Sequence, residues 1–499
     1  MLSEKRLDKL IDENLNKMPA EPFVWWQKTW WSRSAFLELV DACEERLRAS
    51  DFKKGQRLAL LMPNSPVLLA ASIAVWRLGG SVVPIDPRSG YTQIVRRLIH
   101  ADVFAALAYN SCKDLVSLIS EEGIPCTAIN LDAFDENIPG RICKPDEEDV
   151  AVIFYTSGIT DEPKAVPLSH SNLISCIESC IAHLEDFAVL NDDDVFLNAL
   201  PNSNVFGFLC GALMPLVLAA RQAILPTFIP VKTSMEVMRE AEVTIVIAVP
   251  MMISLMSSAL SHGAAPQSTL KFFVTGADRL EPEMKKRAQD LFKVPVLQGY
   301  GLTEASAVVS LQPRAAADDD AKAASVGTLL SCLRAEIRDD EGAVLPIGET
   351  GSLWIKGRSV AECYYRNPEL TEERFKDGWF NTGDIAKFDK EGFLYLAGRA
   401  GDVIFVGGFK VFPREVEKVL KEHPAVLDAA VAGVSRAVAG EIVKAFVVTK
   451  PGERVLSKDL IEHCKKKLSY YKVPRIIEFV SELPRSEIGE VVKRKLTRD

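Results

Sequence analysis

The chain has 499 residues, ordinary hydrophobic and charged fractions of 48% and 25%, and a formal net charge of −9. Its length predicts more than one lobe, because a single hydrophobic core stops growing at roughly 250 to 300 residues. The negative charge argues against a general nucleic-acid-binding protein, which needs a basic surface.

The ten cysteines are scattered without a CxxC pair, so we expect reduced core cysteines in a cytoplasmic protein rather than a metal site. Residues 1–15 are charged and amphipathic and lack the apolar core of a signal peptide. Two long uncharged runs, 198–220 and 243–260, reach the length of a membrane span. Prolines and asparagines interrupt them, so we interpret them as strand-plus-helix units and predict no transmembrane helix.

Strands and helices alternate along the first part of the chain. The aromatic segment 23–31 predicts two short strands, and helical periodicity follows at 34–50. Further strands are predicted at 57–62, 105–108, 126–130, 151–154, 195–199, 222–225, 244–249, 272–275 and 294–298. This alternation predicts helix-covered, mainly parallel sheets, which bind ligands at the carboxyl ends of their strands.

The pattern of predicted strands and helices changes after residue 315. Segment 315–324 predicts a polar loop or short helix, and 326–397 has short strands with frequent glycine, which favours a β-rich, barrel-like subdomain. From 398 onward, short strands and helices indicate a small α+β module. The fold class is therefore α/β, with a large N-terminal domain at 1–398 and a small domain at 399–499.

The segment 152–170 reads VIFYTSGITDEPKAVPLSH, an apolar run followed by a loop dense in hydroxyls. Thr156, Ser157 and Thr160, with Gly158 between them and Lys164 behind a proline, are suited to bind phosphate oxygens. An ordinary polar turn is the alternative. After the loop the chain continues either as a strand or as the start of a helix.

The spacing of Gly158 and Lys164 is that of a nucleotide P-loop, but that interpretation fails at two positions. Pro163 replaces the second glycine, and Ala165 replaces the serine or threonine that would hold magnesium.

Two later segments add groups that suit a nucleotide. In QGYGLTEA, Tyr300, Thr303 and Glu304 are suited to an adenine face, a phosphate and magnesium. In FNTGD, Asp384 is predicted to lie on a turn, and its carboxylate can accept both hydroxyls of a ribose. Segment 398–402, GRAGD, supplies an arginine close by.

With these motifs in order, the sequence resembles the adenylate-forming enzymes, which include acyl-CoA synthetases, luciferases and peptide-synthetase adenylation domains. The resemblance covers almost the whole chain and adds VTGADRL at 274–280 and GETGSLWIKG at 348–357. It implies a two-step reaction: a carboxylate attacks the α-phosphate of ATP, and a phosphopantetheine thiol of CoA or a carrier protein then displaces AMP. ATP, Mg²⁺ and CoA (or phosphopantetheine) are the implied cofactors.

The resemblance also implies a role for each matching residue, with Lys164, Thr303, Glu304 and Arg399 as the catalytic set. The residues implied to bind the phosphates are Thr156, Ser157, Gly158, Thr160, Lys164 and Thr303, and Glu304 would bind magnesium. Those implied to flank adenine are Gly276, Ala277, Asp278 and Tyr300. Asp384 would bind the ribose, with Arg399 beside it. The C-terminal domain would turn about Asp402, and Gly407 and Gly408 would line the thiol tunnel.

The chain departs from the family pattern in its tail. Alignment on Pro484, Gly489 and Leu496 puts Glu490 where a lysine usually reaches the carboxylate and α-phosphate, and a negative group there would repel both. Three explanations stay open: Lys493 or Lys495 substitutes by a shifted register, adenylation is slow, or adenylate is not the main product. In the phosphate loop, Ile159 and Asp161 are also unusual.

The acyl pocket is expected around segment 199–208. Asn204 stands where a gating histidine is frequent, and no acid is available for a substrate ammonium, so an uncharged acyl tail is preferred over an amino acid. The candidate wall residues are Asn204, Val205, Phe206, Gly207, Val249, Met251, Thr275, Gly301 and Val308.

Three function classes follow. The leading hypothesis is an ATP-dependent ligase of an acyl carboxylate to a pantetheine thiol, and its rival is a half-active or non-catalytic relative that binds nucleotide or acyl-adenylate. A peptide-synthetase adenylation domain is the third. From Val443 onward basic residues exceed acidic ones by roughly six, which suits CoA phosphates, an acidic carrier protein or simply a solvated helix face. The oligomeric state is left open.

Overall fold

The computed structural model describes residues 6–134, 136–141, 143, 149–156, 164–185, 190–264, 267–278, 280, 282–339, 341–399, 404–411, 413–436, 440–484 and 496, with backbone alone at 397–399, 410 and 414. The strands in these ranges are β1 Pro22–Trp26, β2 Thr29–Ser32, β3 Arg57–Leu61, β4 Ser81–Pro84, β5 Ala105–Tyr109, β6 Cys126–Ile129, β7 Val150–Thr156, β8 Lys164–Ser169, β9 Val195–Asn198, β10 Arg221–Ile224, β11 Ile245–Ala248, β12 Phe272–Thr275, β13 Val296–Tyr300, β14 Ser310–Leu311, β15 Thr328–Leu329, β16 Leu333–Arg338, β17 Gly351–Gly357, β18 Phe375–Lys376, β19 Trp379–Phe388, β20 Leu394–Arg399, β21 Ile404–Val406, β22 Phe409–Val411, β23 Val426–Arg436, β24 Gly440–Thr449 and β25 Ile476–Phe479. The α-helices are α1 Leu7–Leu15, α2 Arg33–Ala49, α3 Pro66–Arg77, α4 Tyr91–Ala101, α5 Lys113–Glu121, α6 His170–Leu184, α7 Met214–Leu218, α8 Val231–Glu240, α9 Pro250–Ser261, α10 Pro282–Phe292, α11 Pro368–Arg374, α12 Pro413–Lys421 and α13 Ser457–Lys465.

The first sheet, as far as the described residues show it, has the strand order β6-β5-β3-β4-β7-β8. Its neighbours pair parallel except β7 and β8, which are antiparallel. Every residue of β3 and β4 is buried, as expected for parallel strands covered by helices on both faces. The segment after the hydroxyl-rich loop forms β8. Of the two continuations that the sequence allows, a strand or the start of a helix, the strand is the observed one.

The second sheet has the order β15-β14-β13-β12-β11-β9-β10-β1-β2 over the described ranges. Its central strands, β13 through β1, pair parallel, and antiparallel strands close both ends. The predicted aromatic hairpin is confirmed as β1 and β2. Trp25 and Trp30 meet edge to face at 5.4 Å, so these rings pack within the hairpin and against the core.

The predicted β-rich region is confirmed as the antiparallel sheet β16-β17-β19-β18, with β20 paired to β19. The C-terminal module is also confirmed as α+β. It has the sheet β22-β21-β24-β23, to which β25 adds in parallel, with α12 and α13 packed on it.

The two uncharged runs are strand-plus-helix units, as predicted. Run 243–260 forms β11 and α9, and run 198–220 ends β9 and continues into a π-helix, Gly207–Leu213, and α7. Among the described residues, no helix is both long enough and apolar enough to cross a bilayer. All ten cysteines lie in the described ranges as free thiols, and eight of them are buried, which confirms the prediction that most are core residues.

Candidate active site

A large cleft of about 1850 Å³ opens at the carboxyl ends of β7, β11, β12 and β13. It lies where parallel sheets of this kind bind ligands. Fourteen of the predicted site residues line it, although they come from segments far apart in the chain: Thr156, Lys164, Asn204, Val205, Phe206, Gly276, Ala277, Asp278, Tyr300, Gly301, Thr303, Glu304, Asp384 and Gly408. Among the further acyl-pocket candidates, Met251, Thr275 and Val308 also line the cleft.

Other predicted residues are not placed in this cleft. Ser157, Ile159, Thr160, Asp161 and Gly158 lie outside the described residues, as do Asp402, Glu490, Lys493 and Lys495. Arg399 is described through its backbone alone, which pairs with Asp384 across β19 and β20. Gly207, Val249 and Gly407 are not part of the lining: Gly207 is buried in the π-helix, and Val249 packs behind the wall near Gly408.

Lys164 begins β8 directly opposite Thr156, the last residue of β7. The main chain next to it is fixed, because the amide of Tyr365 donates to the carbonyl of Ala165 at 2.8 Å. Burial lowers the pKa of Lys164, and the charge of Arg374 lowers it further, while Glu304 acts in the opposite direction. The side chain is thus a cation held at the wall of the cleft with an acidic neighbour.

Glu304 lies in a 3-10 turn, Thr303–Ala305, just after β13. The hydroxyl of Tyr364 donates to its Oε1 at 2.7 Å, and the amide of Ala361 donates to its carbonyl at 2.7 Å. Burial and the charge of Glu304 raise the pKa of Tyr364, so this hydroxyl stays protonated and keeps donating.

The ring of Tyr364 is held edge-on by Phe375 and Phe380, with centroids 5.7 and 6.5 Å away. Sequence reasoning missed Tyr364, because the segment ECYYRNP offers two adjacent tyrosines and no pattern that tells which one faces the cleft. Tyr365 instead packs against His100 on the other side.

The prediction of a turn at Asp384 is wrong, because this residue lies within β19, where it is 3% exposed. The hydroxyl of Tyr300 donates to its Oδ2 at 2.5 Å, and its own amide donates to Thr382 Oγ1 at 3.1 Å. The structure therefore joins Tyr300, at the end of one sheet, to Asp384 in another, so a predicted adenine neighbour and a predicted ribose ligand form one corner of the cleft.

The turn after Tyr300 depends on a glycine. A Cβ at Gly301 would lie 1.5 Å from the carbonyl oxygen of Ala307, so any side chain there would force the loop that carries Thr303 and Glu304 away. Ala277, on the facing turn, has a positive φ of 67°. Backbone strain of this kind in a residue with a side chain is often found at ligand sites.

Magnesium fits this arrangement only together with substrate phosphates. Among the described residues there is no group of three or more histidine, cysteine, aspartate or glutamate side chains that could hold a metal ion. Mg²⁺, however, is commonly held by one or two carboxylates while phosphate oxygens and water complete its shell. Glu304, on the wall that also carries Lys164, is such a carboxylate.

The other end of the cleft is apolar. Its sheet wall is made by residues on one face of β9, β11 and β12, since Phe196 and Phe272 are both in register with Ile245, and Val274 with Ile247. The remaining walls come from α6, the π-helix, α7 and the segment before β9, through Cys180, Leu184, Cys210, Met214 and Leu190. We call this part the apolar lobe.

A buried amide network holds the loop at the entrance of the apolar lobe. Asn64 Nδ2 donates to the carbonyl of Leu200 at 2.8 Å, and the amide of Asn202 donates to Asn64 Oδ1 at 2.8 Å. Asn198 Nδ2 donates to Gln222 Oε1 at 3.2 Å. The network links both sheets to the loop that carries Asn204.

The C-terminal module covers the nucleotide end of the cleft. A Cβ at Gly408, where φ is 84°, would lie 2.8 Å from Val249 Cγ1 and 3.3 Å from Ala277 Cβ, so the absence of a side chain permits the close approach. Elsewhere the module contacts the first sheet's lobe, where Ser469 Oγ donates to Gln93 Oε1 at 2.8 Å and Arg88 lies 4.2 Å above the ring of Tyr470.

Comparison with known proteins identifies the family of this chain. The family described as AMP-binding enzyme matches residues 11–365, and its C-terminal domain matches residues 415–490. The chain is 33% identical over 483 residues to a long-chain-fatty-acid–CoA ligase of Yersinia pestis, covering 89% of this chain and 85% of the relative. It is 30% identical over 456 residues to a feruloyl-CoA synthase of Amycolatopsis sp, covering 91% and 90%.

Among solved structures, the amide bond synthetase McbA from Marinactinospora thermotolerans superposes with a TM-score of 0.89 at 25% identity over 99% of both chains. Because the family model matches residues 11–365, well over half of the 499 residues, the chain belongs to the AMP-binding enzyme family.

Proposed function

We propose that this protein is an ATP-dependent ligase that adenylates an uncharged, non-amino acyl carboxylate and transfers the acyl group to a phosphopantetheine thiol of CoA or a carrier protein. One observation carries the proposal: a single cleft has a cation and two carboxylates, Lys164, Glu304 and Asp384, at one end and an apolar lobe at the other. A nucleotide suits the first end and an acyl tail suits the second.

The first step brings two anions together, a carboxylate and a triphosphate, so the site has to neutralise charge and fix their orientation. In the proposal, Lys164 and Thr156, with Ser157, Gly158 and Thr160, bind the outer phosphates, while Thr303 binds the α-phosphate. Asp384 binds the ribose hydroxyls with Arg399 beside it, and Tyr300 and the turn Gly276–Asp278 flank adenine. Glu304 holds Mg²⁺, which neutralises phosphate charge when bound.

The length of the apolar lobe limits the length of the acyl group. The lobe runs along the strands from Thr275 back to Phe272 and Ile245, and three residues at ~3.3 Å per residue give it a length on the order of 10 Å. With C–C bonds of about 1.5 Å in a zigzag, that length holds roughly eight methylene groups, or an aryl acid of similar length. The lining residues named above carry no charge, which disfavours a buried ammonium or a second carboxylate.

The acceptor is proposed to reach the cleft past Gly407 and Gly408, beside the C-terminal module at 399–499, which would turn about Asp402. Two relatives are named as a long-chain-fatty-acid–CoA ligase and a feruloyl-CoA synthase, and these names support CoA, a thiol, as the acceptor. The structurally similar McbA is named as an amide bond synthetase, so an amine belongs among the acceptors to be tested.

Acid-dependent ATP–pyrophosphate exchange tests the proposal. A panel of fatty acids from butanoate to hexadecanoate, with cinnamate-type acids, is screened for exchange, and active acids are then offered CoA, phosphopantetheinylated carrier protein or an amine. Exchange followed by thioester formation is expected. Nucleotide binding without exchange for any acid would instead support a half-active or non-catalytic relative, and a gain of exchange in Glu490→Lys would trace that loss to the tail.

A further inference from the structure

Arg374, which the sequence motifs do not single out, lies on the wall of the cleft. It is the last residue of α11 and is partly buried. Its Nε donates to the carbonyl of Asn381 at 3.0 Å, and its guanidinium lies 5.6 Å from the ring centroid of Phe380. These contacts fix the direction of the side chain.

The two terminal nitrogens of Arg374 are directed toward Gly383, the residue before Asp384 in β19, since a Cβ at Gly383 would lie 3.0 Å from Nη2 and 3.4 Å from Nη1. In the part of the chain that the structure describes, no hydrogen-bond or ion-pair acceptor for these two nitrogens is found. Arg374 therefore offers several N–H donors to the cleft that it lines.

Arg374 and Lys164 both line the cleft. They are near enough for the charge of Arg374 to lower the pKa of Lys164, while Glu304 and Glu373 act in the opposite direction. Two neighbouring cations repel each other, so the wall favours the entry of an anion that contacts both. A guanidinium, with its planar fork of donors, is the side chain best matched to phosphate oxygens.

We propose that Arg374 is a second phosphate-binding cation, which contacts the β- and γ-phosphates of ATP together with Lys164 and stays on the pyrophosphate when it leaves. The inference rests on the proposed function, because it requires that ATP binds in this cleft. It adds a charge contributed by the large domain itself, independent of the tail.

Calorimetric titration with ATP, AMP and inorganic pyrophosphate tests the inference. Arg374→Met is expected to weaken ATP and pyrophosphate binding roughly ten- to a hundredfold, the loss of charge-assisted hydrogen bonds, and to leave AMP binding unchanged. Arg374→Lys keeps the positive charge but loses the planar pair of N–H donors. Its affinity for ATP and pyrophosphate is expected to lie between those of the wild type and Arg374→Met. The matched control is Arg334→Met, on the exposed edge of β16 outside the cleft, which should bind all three as the wild type does.

Equal ATP affinity in Arg374→Met and the wild type would overturn the inference, and so would an equal loss for AMP, which would indicate a structural role. If Arg374→Met does not fold, as judged by its thermal unfolding, Arg374→Lys decides by the same ATP-to-AMP comparison. Wild-type protein that binds ATP but catalyses no exchange would contradict the proposed ligase activity while leaving the inference standing. Wild-type protein that binds no ATP would overturn both.

Discussion

The two ends of the cleft are built in different ways. At the nucleotide end, single charged or hydroxyl side chains come from distant parts of the chain, and the two carboxylates are each held by a tyrosine hydroxyl, Glu304 by Tyr364 and Asp384 by Tyr300. At the apolar lobe, the wall is a repeated surface made by alternate residues of β9, β11 and β12. Substituting one side chain should therefore lower activity severely at the nucleotide end, whereas at the apolar lobe the effect should depend on the length of the acid.

The largest effect is expected at Lys164. Lys164→Met removes a cation that is proposed to bind the outer phosphates, which leave as pyrophosphate, so kcat/KM for ATP–pyrophosphate exchange should fall roughly a hundred- to a thousandfold, as for other preorganised electrostatic contacts. Lys376→Met removes an exposed lysine of β18 outside the cleft and serves as the control. Exchange in Lys164→Met at the rate of this control would mean that the nucleotide end is assigned wrongly.

A graded effect is expected when the apolar lobe is shortened. Cys210→Trp places a large ring at its wall, so the longest accepted acids should lose activity while short acids keep theirs. If three methylene groups lose their place, at ~0.8 kcal/mol each, kcat/KM for those acids falls about fiftyfold. The assay is the same acid panel, with Cys112→Trp, outside the cleft, as the control. A uniform loss across all chain lengths would contradict the assignment of the lobe.

A smaller effect is expected at Tyr364. Tyr364→Phe keeps the ring between Phe375 and Phe380 but removes the hydroxyl that orients Glu304, so the Mg²⁺ concentration for half-maximal exchange should rise about tenfold, typical for a group behind a metal ligand. Tyr91→Phe, whose hydroxyl bonds the carbonyl of Leu118, is the control. An unchanged Mg²⁺ requirement would show that Glu304 needs no such support.

The smallest expected effect is a shift in pH dependence. Because the pKa of Lys164 is lowered by burial and by Arg374, its positive charge is lost at a lower pH than that of an ordinary lysine, and kcat/KM for ATP should decline early on the alkaline side. Arg374→Lys keeps the charge and should leave the pH of this alkaline decline unchanged, whereas Arg374→Met should move the decline to higher pH. The pH profile of exchange, measured from pH about 7 to about 10, distinguishes the two variants.

The same contrast explains what the sequence could predict. The strands and helices of the large domain follow from strong periodicity, and β12, for instance, is predicted at its observed bounds. Lys164, Glu304 and Asp384 stand out in the sequence because each is a charged residue in a short segment that also contains glycine and hydroxyl side chains. The rule that parallel strands end at a common edge explains the position of Glu304 after β13, but not that of Asp384, which lies inside the antiparallel strand β19.

Residues whose role depends on distant neighbours could not be predicted. Arg374 ends a short helix and looks like a surface charge until Asn381 and Phe380 fix it toward the cleft. The sequence pattern around Cys180 and Cys210 is that of ordinary core residues in helices. They line the apolar lobe because α6 and the π-helix leave a cavity between themselves and the sheet. Gly207 was expected in the acyl pocket, but its place in the π-helix turns it away from the lining.

The amide network of Asn64, Asn198 and Asn202 has a consequence for how the protein chooses among substrates. Hydrogen bonds depend on direction, whereas apolar contacts allow neighbouring groups to slide past each other, so the network restrains the loop that carries Asn204. If the proposed function holds, the apolar lobe has a fixed length, and substituting one of these amides should broaden the range of accepted acids before it lowers the rate with the preferred acid.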